Sequence, residues 1–171
     1  MSRCCAMISV LVLSAGAAVN AEIVNFNAVI DGAQADDCNG TGSGSTGTAT
    51  FTLDTVTFEV TYSIEYSALD GTENNAHVHS AAACNPGGVV YPLPAGSPKN
   101  GNETLSEAEA DDMLAGLHYV NIHSTLHGGG EIRGQILLEP AVPTASTWGV
   151  ATLVLLVLVT GTVVIRRRAV A

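Results

Sequence analysis

Positive charge is nearly missing from the middle of this sequence. Of its 171 residues, six are Lys or Arg and sixteen are Asp or Glu. Between Glu22 and Ala141 only Lys99 and Arg133 are basic, and all sixteen acidic residues lie there, a net of −14 against −10 for the whole chain. A surface of that sign argues against nucleic acid and anionic membrane as partners, because binding to both runs on neutralised phosphates. Divalent ions, a cationic partner or plain solubility remain. Cysteine is scarce too. Cys4 and Cys5 precede the first apolar run, which leaves Cys38 and Cys84, and two thiols allow one intramolecular connection. There is no nucleotide-binding glycine fingerprint and no strong internal repeat. Neither Ser80 nor Ser124 stands in the strand-turn-helix context of a serine nucleophile.

Long apolar runs are confined to the two ends. Residues 1–21, MSRCCAMISVLVLSAGAAVNA, carry Arg3, then the apolar run Met7 to Val19, then Val19-Asn20-Ala21 with small residues at a cleavage boundary. That is the pattern of a secretory signal peptide, with cleavage expected after Ala21. Residues 142–171 carry an uncharged stretch from Trp148 to Ile165, followed by Arg166, Arg167 and Arg168. As a helix of about 1.5 Å rise per residue, 148–165 spans about 27 Å, close to the hydrocarbon thickness of a bilayer. The arginines are expected in the cytoplasm and the segment before the span outside it. The order Val142-Pro143-Thr144, Trp148-Gly149, span and arginine cluster resembles the bacterial C-terminal sorting signals of the IPTL and PEP type. That resemblance implies an inner-membrane anchor, an exosortase-like processing enzyme as a partner, and release to the cell surface after cleavage.

The segment 22–141 reads as one exported domain, and its patterning is β. Glu22 to Ile30 is strand-like. The stretch DGAQADDCNGTGSGSTG is a loop. Val56, Phe58, Val60, Tyr62, Ile64 and Tyr66 recur at every second position, the mark of a strand with one buried face. Asp54-Thr55 is the expected hairpin turn. Ala76–Ser80, Val89–Leu93, Tyr119–Ser124 and Glu131–Leu138 are further expected strands. One helix is expected from the capping box Ser106-Glu-Ala-Glu109, with Met113, Leu114 and Leu117 as its apolar face. Seven or eight short strands in about 120 residues predict an all-β fold, an antiparallel Greek-key sandwich with one short helix. An exported compartment permits disulfides, and Cys38–Cys84 is the expected bridge.

All five histidines of the chain fall into two clusters, His77 with His79, and His118, His123 and His127. Residues two apart on a strand share a face. With Val78 inward, His77 and His79 point outward. With Val120 and Ile122 inward, so do Tyr119, Asn121 and His123. If the two strands are neighbours, His77, His79 and His123 converge, and three imidazoles suit zinc or copper. His118 and His127 are expected on flanking loops. Gly128-Gly-Gly130 is the expected turn into a returning strand, with Ile132, Gly134 and Ile136 on one face and Arg133 paired to an acidic neighbour.

Six ordered pieces resemble the chordin-domain (CHRD) family: Asp31-Gly-Ala-Gln34, Thr46-Gly-Thr-Ala-Thr50, Ser67-Ala-Leu-Asp-Gly71, Ala76-His-Val-His79, Leu114 to His123, and Gly130-Glu-Ile-Arg-Gly-Gln-Ile136. They extend over Ile23 to Leu138. Ser80 stands where a glycine usually follows His-x-His, and Cys38 and Cys84 are not general in the family. The resemblance implies a secreted, non-catalytic binding or structural module whose partner is an extracellular protein or polymer. A second reading is a zinc- or copper-binding protein. Gly71 followed by His77-Val-His79 is similar to the copper-ligand spacing of Cu/Zn superoxide dismutase, though that enzyme's later ligand loop has no counterpart here.

Overall fold

A computed structural model describes residues 22–140. The expected signal peptide, span 148–165 and sorting motif lie outside the described residues. Among the described residues no helix is long and apolar enough to cross a membrane. The chain divides into two units, Met1–Glu139 and Pro140–Ala171, and all the elements below belong to the first.

The alternating stretches become strands: β1 Ile23–Asp31, β2 Thr46–Asp54, β3 Glu59–Tyr66, β4 Glu73–Ser80, β5 Gly88–Pro92, β6 Lys99–Thr104, β7 His118–Ser124, β8 Ile132–Gln135 and β9 Leu137–Leu138. One helix, α1, runs Glu107–Leu114. The expectation of an all-β antiparallel fold with one short helix holds. Among the described residues the expected sandwich takes the form of one nearly closed sheet. The strands form one continuous sheet in the order β5-β4-β7-β8-β1-β2-β3-β6, with β9 pairing β1 beside it. After β6 the chain passes through α1 and returns to lay β7 beside β4, in the manner of a Greek key.

Side chains, not a backbone ladder, close the sheet on itself. Tyr62 of β3 stacks on Tyr91 of β5 with ring centroids 6.1 Å apart. Lys99 of β6 is fully buried and paired with Glu73 of β4, whose other oxygen accepts from the Tyr66 hydroxyl of β3. Inside lie the inward residues of every long strand, among them Phe26, Ile30, Phe51, Val60, Ile64 and Ile122, each at most 1% exposed. Burial of a large apolar side chain contributes about 1.5–3 kcal/mol.

Local expectations differ from the structure in four places. The turn after β2 extends from Thr55 to Phe58, not over Asp54-Thr55, because the Asp54 carboxylate accepts from the amides of Val56 and Thr57 and Phe58 adopts φ 57°. Val56 is therefore an exposed turn residue, and the period-two pattern enters the sheet only at Glu59. β6, Lys-Asn-Gly-Asn-Glu-Thr, has no apolar alternation and was not expected. It forms because its backbone pairs with β3 from Glu59↔Thr104 to Ile64↔Lys99. The expected strand Glu131–Leu138 is split into β8 and β9, with Glu131 outside both. The capping box is present, with Ser106 Oγ accepting from the Glu109 amide, but the buried residues of α1 are Ala110 and Met113, while Leu114 is exposed.

The outward face of β7 also differs from the expectation of a wet surface. Tyr119 and Asn121 are 3% and 7% exposed. The segment 81–87 covers that face and forms a second layer over the sheet. Arg133 donates to the carbonyls of Asn85 and Ala82, Gln135 donates to Ala81, and the Tyr119 hydroxyl accepts from the Gly87 amide at 3.0 Å. A disulfide joins Cys84 in this cover to Cys38 in the loop after β1, with Cα atoms 5.0 Å apart, within the ordinary disulfide range.

Candidate metal centre

His77 and His79 lie on β4, and His123 lies on the adjacent β7. The pairing of Asn75 with His123 and of His77 with Asn121 sets His123 diagonally beside His77 on the outward face. One nitrogen from each of the three rings lies within 4.8 Å of the others. Ring centroids are 5.5 Å apart for His77–His79, 5.3 Å for His77–His123 and 6.2 Å for His79–His123. All three side chains are half-buried. The expected convergence is therefore present in the structure.

Two of the rings are held by backbone carbonyls. His79 Nδ1 lies 2.9 Å from the Gly87 carbonyl, and His123 Nδ1 lies 2.9 Å from the Gly128 carbonyl. A carbonyl can only accept, so each Nδ1 carries the proton and each Nε2 presents a lone pair. Nε2 of His79 is buried without a hydrogen-bond partner. Nε2 of His123 lies 3.4 Å from Nδ1 of His77. His77 donates to it when its proton is on Nδ1, and becomes a third lone-pair donor when the proton moves to Nε2. The 3.4 Å separation equals the edge of a tetrahedron with metal–nitrogen bonds of about 2.0–2.1 Å, which is about 3.4 Å.

Burial and the neighbouring rings favour the neutral, ligating form of His77 and His79. His77 is held below the usual histidine range by burial, then by His123 and His79. His79 is lowered chiefly by burial, opposed next by the Gly87 bond, while the charges of His123 and Arg133 add smaller lowering effects. His79 also stacks on Tyr119, centroids 5.1 Å apart and planes within 10°. The Arg133 guanidinium lies 3.5 Å from the Tyr119 ring centroid. His79, Tyr119 and Arg133 are thus held against one another. The expected acidic partner of Arg133 is Asp37, at 3.7 Å, but its carbonyl and ring contacts are closer.

His118 and His127 stand apart from this cluster. His118 was expected on a loop. It opens β7, has the same parity as Val120 and Ile122, and is fully buried with neither ring nitrogen hydrogen-bonded. Its position on the inward side of the strand removes it from the outward centre. His127 lies in the β7–β8 connection. The residues that hold the centre in place, Gly87, Tyr119 and Gly128, were not expected to do so. The carbonyl of a glycine carries no sequence signal for such a role. Gly87 does carry a steric one, since a Cβ there would come within 2.1 Å of the Ser80 carbonyl oxygen.

A family model described as CHRD domain matches residues 26–136, which includes every strand from β2 to β8 and the whole candidate centre. No curated protein and no solved structure matches the chain.

Proposed function

The chain belongs to the CHRD domain family, and from that premise we propose that it is an exported, membrane-tethered binding module whose recognition centre is a divalent cation held by His77, His79 and His123. The family supports an extracellular binding module in general. The observation that carries the finer reading is the convergence of three ring nitrogens within 4.8 Å, two of them fixed as lone-pair donors by backbone carbonyls. Three neutral imidazoles with an open side are a zinc or copper donor set that leaves a fourth position. His77 and His123 open onto a recess also lined by Asn74, Asn75 and Gly128. A carboxylate or imidazole from an extracellular protein or polymer completes the coordination there. We take the centre to be non-catalytic, in keeping with the family's character as an extracellular binding module.

The tethering follows from the sorting-signal resemblance of Val142-Pro143-Thr144, Trp148-Gly149 and Arg166 to Arg168. The domain is held outside the cytoplasm by the span 148–165 until an exosortase-like enzyme releases it. Calorimetric titration of the purified domain with zinc and with copper(II) at pH 7.5 tests the centre. Stoichiometric binding in the micromolar range or tighter, lost in His123→Ala, is the expected result. Affinity no better than about millimolar, some 4 kcal/mol, would leave the histidines as a polar strand face. Cell fractionation before and after replacement of Arg166 to Arg168 by neutral residues tests the tether.

A further inference from the structure

Resting on the cation-centre reading, we propose that the Cys38–Cys84 disulfide controls the centre, so that its reduction releases His79 and weakens cation binding. Three of the centre's contacts converge on one short segment. The Gly87 carbonyl fixes the tautomer of His79. The Gly87 amide donates to the Tyr119 hydroxyl, and Tyr119 stacks on His79. Arg133, on the Tyr119 ring, donates to the carbonyls of Ala82 and Asn85. The segment's share of these contacts, Ala82, Asn85 and Gly87, lies within three residues of Cys84.

Besides the disulfide the segment is held by polar contacts, those just given together with Gln135 on the Ala81 carbonyl and the Ala81 amide on the Leu117 carbonyl. Residues 81–87 contain Ala81-Ala-Ala-Cys-Asn-Pro-Gly87, with no large apolar side chain to bury. Ala82 to Gly87 makes no strand ladder, and Ala83, Cys84 and Asn85 are exposed. Cys84 is in the left-handed region at φ 63°, and so are Cys38 at φ 65° and its neighbours Asp36 and Asp37 at φ 49° and φ 52°. Non-glycine residues in that region are held there at a cost by the surrounding structure, and here the covalent link is the structure that joins the two segments. The pairs His77–His123 and His123–Gly128 do not involve this segment. Reduction therefore disturbs one ligand of the three and leaves the other two in place.

The switch is a thiol–disulfide exchange. A dithiol reductant attacks one sulfur of the bridge, the mixed disulfide resolves on its second thiol, the reductant leaves as its own disulfide, and Cys38 and Cys84 each end with a proton. Outer contacts of this kind change metal affinity by about 10- to 100-fold when removed.

The test uses full-length protein in detergent and zinc alone as the probe. One sample stays oxidised. A second is reduced with a phosphine, alkylated with iodoacetamide and desalted, so that neither a dithiol nor the freed cysteines can bind zinc. Circular dichroism confirms that the sheet is intact. A zinc affinity about 10- to 100-fold weaker in the alkylated sample is the expected result, and equal affinity overturns the proposal. Absence of zinc binding in the oxidised sample instead overturns the cation centre itself, and the switch with it. If the alkylated protein unfolds, the variant Cys38→Ala/Cys84→Ala, which removes the bridge without adding two alkyl groups, decides: zinc affinity weakened about 10- to 100-fold supports the proposal and unchanged affinity overturns it.

Discussion

Nδ1 of His77 lies 3.4 Å from Nε2 of His123, 46 positions further along the chain. The antiparallel pairing of β4 with β7 makes the contact, and the two rings meet edge to face. Each nitrogen can be a ligand in one tautomer. Alanine at either position therefore removes a donor and not merely a neighbour. Zinc affinity in His77→Ala or His123→Ala is expected to fall more than about 100-fold, beyond what loss of an outer contact does. His127→Ala should leave affinity within twofold, about 0.4 kcal/mol. Competition with a chelating dye reads all three. Because burial and neighbouring rings lower His77 and His79, binding should persist below the pH at which a free histidine would release the metal.

Acid should destabilise the fold in two stages. His118 is pushed below the usual histidine range by burial, against the opposing charges of Asp112 and Glu109. The unfolded chain takes up that proton first, so this contribution is complete above about pH 6.5 and is lost as pH falls below it. Burial raises the Glu131 carboxyl, but bonds from Ser124, the amides of Asp70 and Gly71, and Ser43 outweigh it and hold it at about 2. Its contribution is present above 4.5 and disappears as pH falls toward 2, on the order of 3 kcal/mol in all. Urea unfolding at pH 7.5, 5.5 and 3.5 should show falling stability. His118→Leu should flatten the first interval and Glu131→Gln the second. A stability that rises on acidification would contradict both assignments.

Lys99 and Glu73 close the sheet, and Lys99 Nζ also donates to the Pro94 carbonyl at 2.6 Å. Removing one member leaves the other as an uncompensated buried charge. Glu73→Ala and Lys99→Met should each cost about 3–5 kcal/mol. The double variant Glu73→Leu/Lys99→Met should cost less than the sum, since it leaves no orphaned charge. A double-mutant cycle by chemical denaturation gives the coupling directly.

Ser106 begins α1 with a reciprocal cap. Its hydroxyl accepts from the Glu109 amide, and the Glu109 carboxylate accepts from the Ser106 amide at 2.8 Å. Ser106→Ala should cost about 1 kcal/mol in a thermal or urea melt, with zinc affinity unchanged. A loss of affinity would show that α1 takes part in the centre.

Features set by near neighbours were legible in the order of the residues alone. Alternation over Val60, Tyr62 and Ile64 puts one face inward whatever the strand pairs with. The capping box is complete within four residues. The parity of His77 and His79 follows from the pleat alone, and Cys38 and Cys84 are the two cysteines of the segment 22–141, which admits one bridge. The family resemblance also lay in short ordered motifs. Tertiary structure decided what depended on closure. The polar segment Lys99–Thr104 became a strand because β3 offered a partner, and Lys99 was buried because Glu73 arrived from the far end of the sheet. Alternation assigns Tyr119 and Asn121 to the outward face but cannot say that residues 81–87 lie over it. His118 looked like a loop residue until its register with Ser80 placed it on β7. A local pattern records which way a side chain points. What meets it there is set by segments distant in the chain, whose arrival depends on the whole sheet closing around one core.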